Sequence, residues 1–296
     1  MRFGNFTNLF AWLLQLRPDW SSASPDNLMD SYALVNRWEH PSVRLEISAV
    51  GVANHTALPL PLSEANHGTD RRRLLTSQVK KPEGWTDTEF DWRSIVDFPE
   101  PEHQPLNACY AESAASTLDA LYQLKHGKAV DFFVPDQLVI CSGHNYGEAA
   151  LPEEVFSKHA VWAPKHGCHP ETGDLTIRID SPIVLCDLRG SNFIENHLEL
   201  MLRMSPVSVG IPSGNLIFRN YKAGILEVRH FETFDNVPDH AVALVGFGIE
   251  NNVEYWTIRN SWGTNWGEDG YFRVERKRDG TGVLGSYAAS VRLLEG

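Results

Sequence analysis

A chain of 296 residues, 42% hydrophobic and 22% charged, can bury the core of one large domain, or of two packed lobes with an appendage, without disulfide staples. Its formal net charge of −12 excludes nucleic acid and anionic membrane surfaces as natural partners, because phosphates are bound by clustered Lys and Arg. Protonating all 12 histidines would offset that charge, so the acidity belongs to neutral pH and fades in an acidic compartment.

At the amino terminus, L-F-A-W-L-L-Q-L at residues 9–16 follows Arg2 and precedes Ser21-Ser22-Ala23, small residues of the kind a signal peptidase accepts. Residues 1–23 therefore read either as a secretory signal or as an amphipathic helix packed on the rest of the chain. No run approaches the roughly 18 apolar residues of a membrane span, and none is expected. Residues 24–84 form a leader of different character, with Pro41, Pro59 and Pro61, few charges before residue 70, then Arg71-Arg72-Arg73 and Lys80-Lys81-Pro82. That basic stretch reads as an exposed linker, either a solvated loop or a processing site, and puts a domain boundary near residue 85. The sequons Asn5-Phe6-Thr7 and Asn54-His55-Thr56 lie in the leader and matter only if the chain is secreted.

From Cys109 onward, Ala111, Ala114, Ala115, Leu118, Leu121 and Tyr122 recur on one helical face. Pro105 discourages an earlier start and Gly127 fits the stop. Beyond residue 205 the runs V-S-V-G-I, H-A-V-A-L-V-G-F-G, V-E-Y-W-T-I-R-N and G-Y-F-R-V-E-R are rich in branched and aromatic residues, as strands are. A helix-rich part followed by a strand-rich part predicts an α+β fold of two lobes.

The four cysteines, Cys109, Cys141, Cys168 and Cys186, include no C-x-x-C pair, so a zinc ribbon or redox dithiol is not expected, and neither is a metal or cofactor. In N-A-C-Y-A-E-S, Cys109 stands at the start of the long helix. The helix amides and dipole there favour thiolate over thiol, although most lone cysteines are simply small buried apolar residues. A nucleophile needs a base. If 240–248 and 253–260 form a hairpin turning through Ile249-Glu250-Asn251-Asn252, Asn260 lies opposite Ala241 and beside His240. An amide oxygen there can hold one imidazole nitrogen and leave the other for the thiol. The bland alternatives are a surface histidine and a strand-end asparagine.

These residues resemble the papain-like cysteine peptidases, the cathepsin family, over about residues 85–290. Asp91-Trp92-Arg93 is similar to the family's mature amino terminus, and Ala108-Cys109-Tyr110 to the end of its cysteine signature. Asp239-His240-Ala241-Val242 and Asn260-Ser261-Trp262-Gly263 place His240 and Asn260 at 131 and 151 residues after Cys109, against a family separation of roughly 130–150. The run R-N-S-W-G-T-N-W-G-E-D-G-Y-F-R-V is the most specific segment.

The resemblance implies a papain-like two-lobe fold, with a helical lobe at about 95–178, an antiparallel β-barrel-like lobe at about 179–296 and the active-site cleft between them. Cys109 would attack the peptide carbonyl, His240 carry the proton, Asn260 orient His240, and Trp262 shield their hydrogen bond. The Cys109 N–H and the Gln104 side chain would hold the oxyanion. Substrate would lie along Ala150 and Leu151 and beside Asp239, with Ala289 flooring a pocket for Leu, Phe or Val. The partners implied are peptide or protein substrates and the chain's own leader as an inhibitor. The protein would be a monomer in a lysosome-like acidic vacuole or outside the cell.

Several positions depart from the family. Four residues separate Gln104 from Cys109, one fewer than usual, with Pro105 in place of a glycine, which implies a displaced oxyanion donor. Glu112 replaces an aromatic residue, and its alignment with Ser116, Asp119 and Gln123 suggests a partly wet helix face. Leu151 replaces a glycine and implies a narrower groove. Two family bridges lose both ends, at Leu106 with Glu148 and at Phe234 with Leu284. The remaining bridge would join Cys141 to Cys168 or Cys186, Cys168 being preferred. These departures keep open a second reading, a catalytically weak homologue that binds or inhibits. An amide hydrolase or transferase of the same Cys-His logic has no feature in its favour.

Overall fold

In the computed structural model, residues 43–45, 81–105, 107–127, 131–145, 147–186, 194–231, 237–278, 281–284 and 286–294 are described. The proposed signal segment, both sequons, the arginine run and Lys80 lie outside them. All described residues belong to one compact unit, Ser42–Gly296.

Three helices follow the amino-terminal segment: α1 (Cys109–His126), α2 (Pro135–Ser142) and α3 (Pro152–Lys158). The apolar face read from the sequence is buried, from Ala111 at 0% exposure to Tyr122 at 6%. Most of the opposite face is buried as well: Ser113, Ser116, Thr117, Asp119 and Gln123 are buried, and Glu112 is partly so. Helix α1 therefore runs between two hydrophobic clusters and is not a surface helix. Gln123 shows how its polar face is satisfied, donating to Asp97 O at 2.6 Å and accepting from Asp97 N at 2.8 Å. Gly127 ends the helix with φ of +83° while its N–H reaches Gln123 O, a conformation in which a Cβ is strained.

The remaining elements are strands β1 (Val43–Leu45), β2 (Phe90–Asp91), β3 (Val161–Trp162), β4 (Ile177–Arg178), β5 (Ile183–Cys186), β6 (Val207–Ile211), β7 (Tyr221–Leu226), β8 (His240–Glu250), β9 (Val253–Arg259), β10 (Tyr271–Glu275) and β11 (Tyr287–Ser290), with helices α4 (Ile194–Leu202) and α5 (Leu216–Arg219). Nine strands form one sheet in the order β1-β7-β10-β9-β8-β6-β11-β5, with β2 paired to β8. Its pairings are antiparallel except β10 with β7. The expected barrel-like lobe is an open sheet among the described residues, because its outer strands β7 and β5 are not hydrogen-bonded to each other and β7 pairs outward with the leader strand β1. No helix among the described residues is long and apolar enough to cross a membrane.

Strand β8 is buried from His240 to Gly248, so its continuous apolar run marks a strand covered on both faces. A Cβ on Gly246 would come within 2.4 Å of Phe90 O, so glycine is what lets β2 close onto β8. The hairpin itself differs from the expected one. Asn251 and Asn252 alone form the turn, with φ of 50° and 65°, and Glu250 pairs with Val253. Two successive left-handed residues make the twist-matched two-residue turn that asparagine favours. An irregularity between Leu244 and Gly246 then shifts the register, leaving Ala243 opposite Arg259.

One cluster gathers the sheet with α4, Phe90, Trp92 and Val96; the other gathers α1 to α3 with Tyr287, Ala289 and Val291 from the carboxyl-terminal strand. Trp92 fixes the amino-terminal segment to the sheet side by donating its Nε1–H to Leu202 O at 2.9 Å. Cys141 bonds to Cys168 with their Cα atoms 5.8 Å apart, tying α2 to the β3–β4 connection. Of the two partners the sequence allowed, the structure selects Cys168.

Candidate active site

Cys109 is the first residue of α1, with Ala108 at the cap position supplying no side-chain bond. The Ala241 amide, on the residue after His240, favours the Cys109 thiolate electrostatically, so β8 and α1 bring together parts of the chain that are far apart in sequence. Burial nevertheless pushes the thiol up to about 11, against the helping amides and with Asp239 adding to the rise. This reverses the lowering expected from the helix terminus. At 7% exposure, lost hydration of the thiolate outweighs the helix end, and a positive charge is needed to restore the anion.

His240 begins β8 and is 3% exposed. Its Nε2 lies 2.7 Å from Asn260 Oδ1, which also accepts the Ser261 N–H at 2.9 Å. Held so, the imidazole presents Nδ1 as the nitrogen for proton exchange with a thiol. Trp262 stacks on the ring at 5.0 Å between centroids and 22° between planes, and Trp262 packs in turn on Phe218 and Trp266. Asn260 just follows β9, where its N–H donates to Gly270 O at 2.9 Å. Gly270 has φ of +85° and sits where a Cβ would come within 2.6 Å of Pro101, so the W-G-E-D-G turn requires glycine to supply that carbonyl.

Gln104 is held twice by Ser261, a residue to which the motif spacing assigns no role. The Gln104 N–H donates to Ser261 O at 2.9 Å, and its Oε1 accepts the Ser261 hydroxyl at 2.5 Å. With Oε1 occupied, Nε2–H is the end left to donate to an oxyanion. The short loop through Pro105 is accommodated by Asn107, whose φ is +58° and whose Nδ2–H donates to Gly147 O at 2.7 Å. The one signal for Ser261 in the sequence is its place between Asn260 and Trp262.

The expected substrate-binding residues divide. Ala150 and Leu151 are 1% and 2% exposed and belong to the helical cluster, so the Leu151 side chain points into the core and does not narrow a groove. Asp239 accepts the Ser213 N–H at 2.6 Å, and burial raises its carboxyl. Ala289 is fully buried in β11 between Val184 and Ser208. The Cys186 side chain lies outside the described structure. Among the described residues no group of His, Cys, Asp and Glu is placed to hold a metal ion.

Glu112 and Asp119 complete the surroundings on the far side of α1. Burial pushes Asp119 up to about 8 although its Oδ1 accepts the Phe133 N–H at 2.7 Å. Burial likewise lifts Glu112 to about 7, with Arg259 opposing. The expected wet helix face is, at Asp119, a buried one.

Residues 187–291 match the papain family cysteine protease model. A viral cathepsin of Spodoptera litura multicapsid nucleopolyhedrovirus is 33% identical over 230 residues, covering 73% of this chain and 65% of that protein. The viral cathepsin of Autographa californica nuclear polyhedrosis virus is 26% identical over 279 residues, covering 87% of this chain and 81% of its own. The chain thus spans just under two thirds of the first relative's length and more of the second's. Among solved structures, digestive procathepsin L 3 of Tenebrio molitor larval midgut aligns with a TM-score of 0.62 at 16% identity, over 99% of this chain and 95% of that one. The proform of the ragweed pollen cysteine protease Amb a 11 aligns with a TM-score of 0.60 at 20% identity, over 89% and 85%. Those likenesses carry the fold, and the sequence relatives carry the kinship: the chain belongs to the papain family of cysteine proteases.

Proposed function

We propose that the chain is a cysteine endopeptidase working through Cys109, His240 and Asn260 and an acyl-enzyme thioester. Cys109 Sγ bonds to the scissile carbonyl carbon as the thiol proton resides on His240, and the carbonyl electron pair moves onto oxygen. The Cys109 N–H and Gln104 Nε2–H receive that oxyanion. Collapse breaks the C–N bond, the amine leaves with the proton from His240, and water activated by His240 then hydrolyses the thioester to free the acid and restore the thiol. The observation that carries this reading is the 2.7 Å bond from His240 Nε2 to Asn260 Oδ1 beneath Trp262.

Residues 1–23 are proposed as a signal, 24–84 as an inhibitory leader and 85–296 as the peptidase domain. Strand β1, antiparallel on β7 with Val43 opposite Gly224, supports a leader that lies along the domain. Procathepsin neighbours have leaders of their own, and an acidic vacuole or the extracellular space suits such maturation. Its substrates are peptides or proteins, and it acts as a monomer.

The buried, high-pKa thiol favours one rival, a catalytically weak homologue that binds peptides. Acid treatment followed by a thiol-directed active-site probe and peptide cleavage between about pH 4 and 8 separates the two readings. Labelling and cleavage that vanish in Cys109→Ala are expected. Neither signal in the unmutated protein would leave the binding reading.

A further inference from the structure

Behind the His240–Asn260 pair, on the side of α1 away from the helical cluster, lies a cavity of about 10 Å³, lined by Glu112, Ser113, Ser116, Arg259 and Asn260 among others. That is the space of about one water. Asn260 is 2% exposed and its Nδ2 has no hydrogen-bond partner among the described residues, although its Oδ1 serves both His240 and Ser261. A buried amide N–H left without an acceptor is costly, and it is a reason to expect an acceptor inside the cavity.

The lining can complete a water's bonding. Arg259 spends one N–H on Tyr271 Oη at 3.2 Å and otherwise faces the rings of Phe98 and Tyr271. Glu112 and Arg259 both line the cavity and attract each other electrostatically with no direct ion pair among the described residues, an arrangement that a water between them can bridge. Ser116 donates its hydroxyl to Glu112 O at 3.2 Å and keeps its oxygen lone pairs as acceptors. A water here would accept from Asn260 and Arg259 and donate to Glu112 and Ser116.

We propose that Glu112 is a positioning residue: with Arg259 it holds one water that accepts the Asn260 Nδ2–H, fixing Asn260 Oδ1 on the His240 ring. The proposal rests on the peptidase reading for its kinetic consequence only. An aliphatic or aromatic side chain at position 112 cannot supply the acceptor, so the departure from the family at Glu112 becomes part of how this chain orients its histidine.

The groups acting on Glu112 are Arg259 from β9, Glu102 from the segment before α1 and Asp136 from α2. Glu112 in turn acts on Asp119, two turns further along α1. A carboxylate at 112 also favours the His240 imidazolium, so removing the charge should bring the alkaline loss of activity to lower pH.

The test uses the full chain, before and after acid treatment, with three readouts. A crystal structure at a resolution that shows waters should place one within hydrogen-bond distance of Asn260 Nδ2, Glu112 and Arg259. Glu112→Leu should lower kcat about tenfold with KM within about twofold, the effect of one lost partner to a buried amide. Glu112→Gln should keep most of kcat and move the alkaline limb of the pH profile down. A cavity without water density, or a Glu112→Leu protein with unchanged kcat and pH profile, overturns the proposal. Should Glu112→Leu fail to fold, the density and the Glu112→Gln profile decide it. Unmutated protein that neither labels nor cleaves refutes the peptidase reading instead, and the crystallographic readout still judges the water.

Discussion

Removing the Ser261 hydroxyl should slow turnover by roughly two- to twelve-fold, the rate equivalent of one net hydrogen bond of about 0.5–1.5 kcal/mol. Ser261 is 5% exposed, and its hydroxyl donates to Gln104 Oε1 at 2.5 Å, fixing which end of the amide faces the site. The loss stays moderate because Gln104 N still donates to Ser261 O, a main-chain bond that Ser261→Ala preserves. Gln104→Ala removes the donor altogether and should cost about 10²–10³ in kcat, the usual effect of losing one oxyanion donor. The shortened loop through Pro105 alone implies a smaller loss, and the Ser261 clamp restores the full one. Steady-state cleavage of a fluorogenic peptide gives kcat and KM for both single variants and the double. KM should hold steady, and labelling by an alkylating probe, which forms no oxyanion, should persist. Ser261→Ala should add little in the Gln104→Ala background, since the hydroxyl acts through that amide. Equal effects of Ser261→Ala with and without Gln104 would refute the reasoning.

Burial holds the Cys109 thiol near 11 unless a cation supports the thiolate, so His240→Ala should abolish iodoacetamide alkylation below about pH 8, while the unmutated protein alkylates at pH 6. Alkylation of the His240→Ala protein at pH 6 would show that His240 is not that cation. Peptide mapping after blocking free thiols should recover a Cys141–Cys168 bridge and an alkylated Cys109, and replacing both bridged cysteines with Ala should cost about 2–4 kcal/mol in urea unfolding. Asp119 has a folded pKa of about 8, above its unfolded value of 3.8, so the native state holds the proton that the unfolded state releases. Stability should therefore fall as pH rises between those values, by at most about 1.4 kcal/mol per unit. Asp119→Asn, which keeps an oxygen for the Phe133 N–H, should flatten that slope in thermal melts from pH 4 to 8. An unchanged slope would mean the carboxyl is ionised in place.

Periodicity and spacing make much of this protein legible in the amino-acid sequence itself. The helical repeat from Cys109 and the apolar runs after residue 205 are local patterns, and local patterns report which faces are buried. Motif spacing likewise singles out Cys109, His240 and Asn260 as candidates for one site, and the structure puts His240 on Asn260 with Trp262 stacked on its ring. Other features need the tertiary structure because their causes are not local. Two left-handed asparagines and a strand irregularity set the hairpin register, and no alternation pattern marks where an extra residue is absorbed. The open sheet follows from which strands pair at its ends. Leu151 reads as a groove residue only until α3 turns it inward. The thiol's rise comes from burial on all sides of Cys109, which one helix terminus cannot report. Ser261 grips Gln104 across 157 residues of sequence, and Asn260 shares a cavity with Glu112, 148 positions earlier. Such contacts are fixed by how α1 packs on β8 and β9: sequence names the groups able to hydrogen-bond, and packing alone decides which of them meet.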